Sequence, residues 1–228
     1  SKTLEAIGQG YGITRERVRQ IEEDALRRLR KSEGFLKLGD VFNDLKEKIE
    51  ARGKIVNEKL FLNEISNEPS VRQHVRFFLV LGDDFEHLKE DDEFCRRWTT
   101  DADAAEQIHD AMRRFHGELS SDDLFSEQEI ISCFLGHVKN AVSFPATAEV
   151  LSNILKISRF IDVNALGEGG HIASPAVRPR GVRDLAFLAM RKHGSPMHFQ
   201  ETAETIAKIF SRPVNTQTVP NELIKDGR

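Results

Sequence analysis

The chain has 228 residues, of which 39% are hydrophobic and 31% charged, and its formal net charge at pH 7 is -4. This composition is typical of folded globular domains and excludes an intrinsically disordered protein. The chain has no apolar run near the ~18–20 residues of a membrane-spanning helix and no secretory leader, so we expect a cytoplasmic protein without a membrane partner.

The first predicted element is a helix-turn-helix over residues 3–31. Helical periodicity predicts helices over residues 3–9 and 14–31, and Gly12 suits the turn between them. Thr14 precedes the second helix and is its predicted N-cap. One side of this helix is apolar and is expected to be buried; it comprises Val18, Ile21, Ala25 and Leu29, with Leu26 at its edge.

The other side of the second helix is polar; it comprises Glu16, Arg19, Gln20, Glu23 and Arg27, with Arg15 at the exposed N-terminal end. In a helix-turn-helix such side chains enter the major groove of DNA. There Arg can bind guanine, Gln can bind adenine and Glu can accept from the amino group of cytosine. Arg17 and Arg19 are better placed for phosphates. On charge alone, a solvated and salt-bridged helix surface is the favoured alternative.

Residues 34–100 are predicted to form a connecting helix and then a unit with the element order of a winged helix. The amphipathic connecting helix occupies residues 34–53, and the unit occupies residues 54–100. The predicted elements of the unit are helices near residues 58–66 and 70–81 and a hairpin over residues 84–98.

A second unit with the same order is predicted over residues 101–175. Its elements are helices near residues 104–119, 126–137 and 147–156 and a hairpin over residues 160–173. The tip of the first hairpin carries Asp91, Asp92 and Glu93 without the spacing of a calcium loop. The tip of the second is glycine-rich at residues 167–170 but lacks the Lys and Ser/Thr of a phosphate loop. Both are therefore predicted to be exposed turns.

The last predicted unit occupies residues 176–228. A linker with two prolines over residues 174–181 precedes helices over residues 182–193 and 199–210 and a third that starts near Asn215. The sequence ends where the hairpin of a winged helix would begin, and it starts with Ser1 rather than Met. We therefore expect a piece of a longer protein.

The net charge is unevenly distributed along the chain. Residues 1–31 carry eight Lys and Arg against five Asp and Glu, residues 172–228 carry nine against five, and residues 32–171 carry sixteen against twenty-seven. Basic ends are typical of a chain that contacts phosphates. The acidic middle is expected to be a spacer or a protein-docking surface.

The first segment resembles a known family. Thr3-Leu-Glu, Ile7-Gly, Thr14-Arg-Glu-Arg-Val-Arg-Gln-Ile-Glu and Ala25-Leu-Arg-Arg-Leu-Arg stand at the spacing of the C-terminal helix-turn-helix of bacterial primary sigma factors, region 4. That domain reads the minus-thirty-five promoter element. The resemblance implies base contacts by Arg15, Glu16 and Gln20 at the start of the helix that Thr14 caps. It also implies phosphate contacts by Thr3, Arg17 and Arg19.

Residues 180–228 resemble a second family, the HARE-HTH winged helix, which also occurs in the delta subunit of RNA polymerase and in some restriction and chromatin proteins. The motifs are Arg180-Gly-Val-Arg-Asp-Leu-Ala, Gly194-Ser-Pro-Met-His-Phe-Gln-Glu-Thr-Ala and the string from Asn215 to Arg228. The polar contacts that this resemblance implies are Thr216, Gln217 and Asn221. A packing or protein-binding role for the third helix is the alternative.

Catalytic and metal sites are not predicted. Glu106 and His109 match half of a di-iron carboxylate motif whose second half is missing. Cys95 and Cys133 are too few for a zinc site, suit a reducing compartment and are expected to be buried. We therefore expect no enzyme, no metal and no cofactor.

The sequence as a whole predicts a mainly α protein of tandem helix-turn-helix and winged-helix units with short β-hairpin wings. The predicted function is double-stranded DNA binding in bacterial transcription regulation. One alternative is an adaptor that imitates a sigma factor and docks on RNA polymerase. Another is the DNA-recognition part of a restriction or defence system.

Overall fold

The computed structural model describes residues 3–120 and 123–224. The helices are α1 Leu4–Tyr11, α2 Arg15–Arg30, α3 Glu33–Leu36, α4 Gly39–Glu50, α5 Glu58–Ile65, α6 Pro69–Leu81, α7 Ala102–Glu118, α8 Glu127–Val138, α9 Ala148–Leu155, α10 Val182–His193, α11 Phe199–Phe210 and α12 Thr218–Ile224. The strands are β1 Ile55–Asn57, β2 Glu86–Leu88, β3 Arg97–Thr99, β4 Phe125–Ser126, β5 Ile161–Val163 and β6 Glu168–His171. The mainly α class with short hairpins is confirmed. Ser1 and the last four residues, on which the expectation of truncated ends depends, lie outside the described residues.

One order of elements occurs twice in the middle of the chain. We call residues 39–99 module 1, residues 102–171 module 2 and residues 182–224 module 3. Module 1 runs α4, β1, α5, α6, β2, β3, and module 2 runs α7, β4, α8, α9, β5, β6. The sheet orders are β1-β3-β2 and β4-β6-β5, with antiparallel pairs throughout. In both modules, the second hairpin strand is therefore central.

The strands that open each sheet, β1 and β4, were not predicted. They have three and two residues, too few to show the alternating pattern that identifies a strand. Each leads directly into a helix with a side-chain cap. The Asn57 side chain accepts from the Leu60 N–H at 3.2 Å. Ser126 and Glu129 form a reciprocal capping box.

Module 1 is centred on Trp98. The apolar stripe of α4 contributes Leu45 and Ile49 to the same core, together with Leu79 of α6. The indole N–H of Trp98 donates to the Glu58 Oε2 at 2.9 Å, which satisfies its one polar group inside the core. Thus α4 is both the connection from α3 and the first helix of module 1.

The hairpin of module 1 enters module 2. Phe94, between β2 and β3, is fully buried in the core of module 2. It forms an antiparallel bridge with Ser158, and the Cys95 N–H donates to the Ile157 carbonyl at 2.8 Å. Asp91 and Asp92 are exposed as predicted and Glu93 is half-buried, whereas Phe94, at the start of the predicted second hairpin strand, is buried. Because the hairpin completes a neighbouring core, the two modules pack as one body.

A buried polar pair supports this junction. The Arg97 Nε donates to the His109 Nε2 at 2.9 Å, and Arg97 also lies 3.2 Å from the Asp91 carboxylate. Burial, followed by the nearby Arg97 charge, lowers the pKa of His109 and keeps its acceptor nitrogen unprotonated. His109 therefore belongs to the packing of the two modules, whereas Glu106, whose carboxylate lies 3.6 Å from the imidazole, is exposed. Among the residues that the structure describes, no three His, Cys, Asp or Glu side chains form a metal site.

Module 3 joins the rest through the predicted linker. This segment lacks helix and strand, but Ser174, Ala176 and Val177 are buried. The Asn164 side-chain amide donates to the Ala176 carbonyl at 3.0 Å. Its neighbour Glu168 lies 3.2 Å from an Arg191 guanidinium nitrogen on α10. The linker is thus packed against module 2.

Two smaller observations complete the fold. Cys133 is exposed and Cys95 is half-buried, so the expectation of two buried thiols is wrong. Cys133 lies on the exposed side of α8. The hydrophobic periodicity of this twelve-residue helix was not sufficient to predict that exposure. Within the described ranges, no helix has both the length and the apolar character to cross a membrane.

Replacing Phe94 tests the shared core. We expect Phe94→Ala to lower the free energy of unfolding by about 3–5 kcal/mol, since it removes a fully buried ring and leaves a cavity. Phe77→Ala is the control, because Phe77 is largely exposed on α6 and should cost less than about 1 kcal/mol. Urea denaturation measures both. An equal decrease in the free energy of unfolding in the two variants would contradict the inference that Phe94 completes a core shared by modules 1 and 2.

Acid stability tests a half-buried histidine, His116, near the same junction. Burial lowers the pKa of His116 from 6.5 to about 4, and His116 Nε2 lies 2.8 Å from Ser158 Oγ. Between those pH values the unfolded chain holds a proton that the folded chain lacks, so stability should be lost as the pH falls from 6.5 towards 4. In His116→Gln the free energy of unfolding should fall less steeply over this pH range, by up to about 1.4 kcal/mol per pH unit. Urea denaturation at several pH values in this range measures the free energy of unfolding of both proteins. If this free energy depends on pH in the same way in both, His116 does not contribute.

Candidate nucleic-acid interface

Two threonine caps define the helix pair α1 and α2. The Thr3 hydroxyl oxygen accepts from the Ala6 N–H at 3.2 Å, and the Thr14 hydroxyl oxygen accepts from the Arg17 N–H at 3.1 Å. Both residues have extended backbone, as N-caps require. The predicted N-cap role of Thr14 is therefore confirmed. The same hydroxyl groups stand at the positive ends of the helix dipoles, which favour anions.

The turn between α1 and α2 depends on two glycines. Gly12 ends α1 in the left-handed region, with φ 68°, where glycine avoids the strain of a side chain. Gly8 is buried, and a Cβ atom there would lie 2.6 Å from the Ile13 carbonyl oxygen. That carbonyl belongs to the turn, and the Ile13 N–H donates to the Gly8 carbonyl at 3.0 Å. The close approach of helix and turn thus requires glycine.

The polar face of α2 forms a ladder of side-chain contacts. Arg19 binds Glu16 through two nitrogens, at 2.9 and 2.6 Å, and also contacts Glu23. The Arg17 guanidinium donates to the Gln20 Oε1 at 3.3 Å. Gln20 donates in turn to Glu16 at 3.5 Å. Four of the predicted contact residues, Glu16, Arg17, Arg19 and Gln20, are thereby brought together on one exposed surface, and Arg15 is exposed at the start of the helix.

The side chains of this face are charged at neutral pH, but the ion pairs between them are weak. The hydrogen bond from Arg19 is the largest cause of a lowered pKa at Glu16. Glu16 is therefore ionised and can act only as an acceptor. Its ion pair with Arg19 is about half exposed, and such pairs contribute about 0–1 kcal/mol. Arg19 can therefore exchange Glu16 for a phosphate at little cost.

The opposite face of α2 is not buried as expected. The structure describes every residue of α2, and of these only Val18 is buried. Ile21 is 49% exposed, Leu29 is 42% exposed, and Ala25 is also exposed. The helical wheel placed these residues correctly on one side, but α1 is too short to cover that side. Within the described ranges an apolar stripe is left uncovered.

One side chain anchors the end of α2 to module 1. The Arg30 Nε donates to the Leu81 carbonyl at 2.9 Å, and another nitrogen of the same guanidinium donates to the Val80 carbonyl at 3.3 Å. Arg30 also lies 3.2 Å from the Asp83 carboxylate. These carbonyls end α6 and lack partners within that helix, so a cation satisfies them. Local sequence patterns carry no signal for this contact, because its partners are about 50 positions away.

The predicted contacts of the third unit lie apart from α2, in module 3. Helix α12 begins at Thr218, three residues later than expected, so Thr216 and Gln217 lie in the preceding turn. The Gln217 N–H donates to the Asn215 side chain at 2.9 Å, which explains why the helix starts late. Gln217 and Asn221 are exposed, and Thr216 is half-buried.

Comparison with known proteins gives one family. Residues 1–31 match the family described as Sigma-70, region 4, whose members are DNA-binding helix-turn-helix domains of transcription. The match covers α1 and α2 and therefore about one seventh of the chain. It supports the coarse interpretation of this segment as DNA-binding and related to transcription. No solved structure matches the chain.

Two alanine substitutions in α1 test the role of the turn. We expect Gly8→Ala to weaken DNA binding by at least about tenfold, because its Cβ would push the turn and tilt α2. Gly10→Ala is the matched control: no atom lies within 4 Å of its Cβ, and alanine favours a helix. Fluorescence anisotropy on a labelled duplex measures both. Wild-type binding by Gly8→Ala would show that the turn does not position α2.

Proposed function

We propose that this chain binds double-stranded DNA in bacterial transcription regulation and reads promoter-like sequence with α2. The observation that carries the proposal is the family match over residues 1–31, which coincides with a capped helix whose polar face is exposed. Base reading needs side chains that are exposed, close together and near the start of the helix. Arg15, Glu16 and Gln20 meet those conditions.

In the proposed mechanism the first turns of α2 enter a major groove. Arg15 binds guanine bidentately, Gln20 pairs with adenine, and Glu16 accepts from a cytosine amino group. Each good base contact discriminates by about 1–3 kcal/mol. Thr3, Arg17 and Arg19 contact the sugar-phosphate backbone and set the register. Arg17 and Gln20 contact each other in the free protein, so Arg17 also orients the amide that reads the base.

Module 3 is proposed as the second DNA-binding unit, of the HARE-HTH type. Residues 172–228 carry a net charge of +4, and Gln217 and Asn221 are exposed for contacts, with Thr216 beside them. Two weak contacts on one chain reinforce each other through effective concentration. Modules 1 and 2, which share a core, would hold these contacts at a fixed separation in the cytoplasm.

A protein adaptor that docks on RNA polymerase is the second candidate. One observation favours it, namely the uncovered apolar stripe of α2, with Ile21 and Leu29 about half exposed and Tyr11 80% exposed on α1. Exposed apolar surface of this kind is typical of a protein contact. The polar and apolar faces of α2 are opposite each other, so the two candidates make separable predictions.

Removal of the base-reading side chains tests the proposal. We expect wild-type protein to prefer a duplex with a minus-thirty-five-like hexamer over a scrambled duplex. In Arg15→Ala/Gln20→Ala the preference should be lost, because two contacts of about 1–3 kcal/mol each disappear. Fluorescence anisotropy with both labelled duplexes gives the ratio of affinities.

The control replaces one arginine and one polar side chain farther along the same face, in Arg27→Ala/Glu23→Ala. Glu23 and Arg27 lie about two and a half and three and a half turns from Thr14, so their removal should leave the preference intact. If wild-type protein binds neither duplex while RNA polymerase binds it through Ile21 and Leu29, the adaptor replaces the DNA-reading proposal. Equal preference in all three proteins would exclude α2 as the reader.

A further inference from the structure

Module 1 contains a cationic depression that the proposed function does not use. It lies between α5 and α6 and has a volume of about 290 Å³. Its polar lining consists of Lys59, Asn63, Arg72, Gln73 and Arg76, together with Glu58 at its base. All but Arg72 and Glu58 are exposed. Two exposed cations, one half-buried arginine and two exposed amides therefore line the depression, within a stretch of the chain whose net charge is strongly negative.

The carboxylate at the base of this depression, Glu58, already has hydrogen-bonding and ionic partners within the protein. Glu58 is only 7% exposed and accepts from the Trp98 indole at 2.9 Å. Guanidinium nitrogens of Arg76 and Arg96 lie 3.6 and 3.8 Å from it. One buried negative charge faces two arginines, so the surface above it keeps a net positive charge. His87, 3.4 Å away, adds none at neutral pH, because burial lowers its pKa.

Local geometry also holds the cations in place. Arg72 donates to the Ser66 and Asn67 carbonyls at 3.4 and 3.3 Å, in the turn that joins α5 to α6. Arg76 lies one turn farther along α6, and Lys59 lies near the start of α5. A short helix, a turn and a longer helix, with Arg72 in the first turn of the longer helix and Arg76 near its middle, form an arrangement like that in which a helix-turn-helix meets the DNA backbone.

We propose that this depression binds the phosphate backbone of double-stranded DNA, so that module 1 contacts the same duplex as α2. Lys59, Arg72 and Arg76 contact successive phosphates, and Asn63 and Gln73 donate to phosphate or sugar oxygens. The hairpin takes no part, because Phe94 holds it in module 2. The common duplex rests on the proposed function of α2, whereas phosphate binding by the depression does not.

The Arg30 anchor limits how far apart the two contact surfaces can lie. Arg30 joins the C-terminal end of α2 to the C-terminal end of α6. At 1.5 Å per residue these helices are about 24 and 20 Å long, so their N-terminal ends can be up to about 44 Å apart. Adjacent major-groove positions on one face of DNA are about 34–36 Å apart. The anchor at Arg30 therefore permits contacts one turn apart.

The test removes two cations from the depression, in Lys59→Gln/Arg76→Gln. The control is Lys139→Gln/Arg114→Gln, which removes one lysine and one arginine from exposed positions of module 2. Anisotropy is measured on a duplex of about four turns over a range of salt concentrations. We expect the depression variant to bind roughly tenfold more weakly at ~0.1 M salt, with the slope of log affinity against log salt reduced by about two. The sequence preference should be unchanged.

A second variant separates binding from folding. Arg76 is close to Glu58, so Lys59→Gln/Arg72→Gln, which leaves that contact intact, should show the same loss of slope. Thermal unfolding confirms that each variant is folded. If both variants keep the slope and affinity of the control, the depression does not bind DNA, although α2 still does if the wild-type preference persists. If wild-type protein binds no duplex, both proposals fail.

Discussion

Insertion of Phe94 into the core of module 2 is the contact on which the rest of the architecture depends. It commits the hairpin of module 1 to a neighbouring module and aligns its backbone with Ser158. The part of the hairpin that stays exposed, residues 89–92, carries three carboxylates and one lysine and does not favour a polyanion. The exposed cations of module 1 described above lie instead on the helical surface of α5 and α6. Packing thus selects the binding surface.

Local charge matters more for this molecule than net charge. Residues 32–171 are acidic overall, yet many of their carboxylates are paired with cations across the modules, as in the contact of Arg113 with Glu93 and that of Lys54 with Asp101. Glu58 is buried beneath arginines rather than facing solvent. A net count therefore hides the positive surface between α5 and α6. The same principle applies to α2, where Glu16 and Glu23 lie beside Arg19 without removing it from the exposed face.

Sequence reasoning succeeded where the cause of structure is local. The helices α10 and α11 were predicted to the residue, and Thr14 was predicted as a cap, because periodicity and capping depend on a few neighbouring residues. It did not find the contacts of Phe94 or Arg30, whose partners lie roughly 50–65 positions away. For the candidate site, it identified the polar face of α2 but expected the opposite face to be buried. A helical wheel shows which residues share a face and does not show what covers that face.

The shared core also affects how the chain is made. Module 1 leaves the ribosome first, but the site that receives Phe94 needs residues up to Ile157. At about 5–20 residues per second, those ~60 further residues take several seconds to synthesise. During that interval the nascent chain exposes an aromatic hairpin tip that has no place to bind. Folding of modules 1 and 2 is therefore completed late and jointly, once the residues that receive Phe94 have been synthesised.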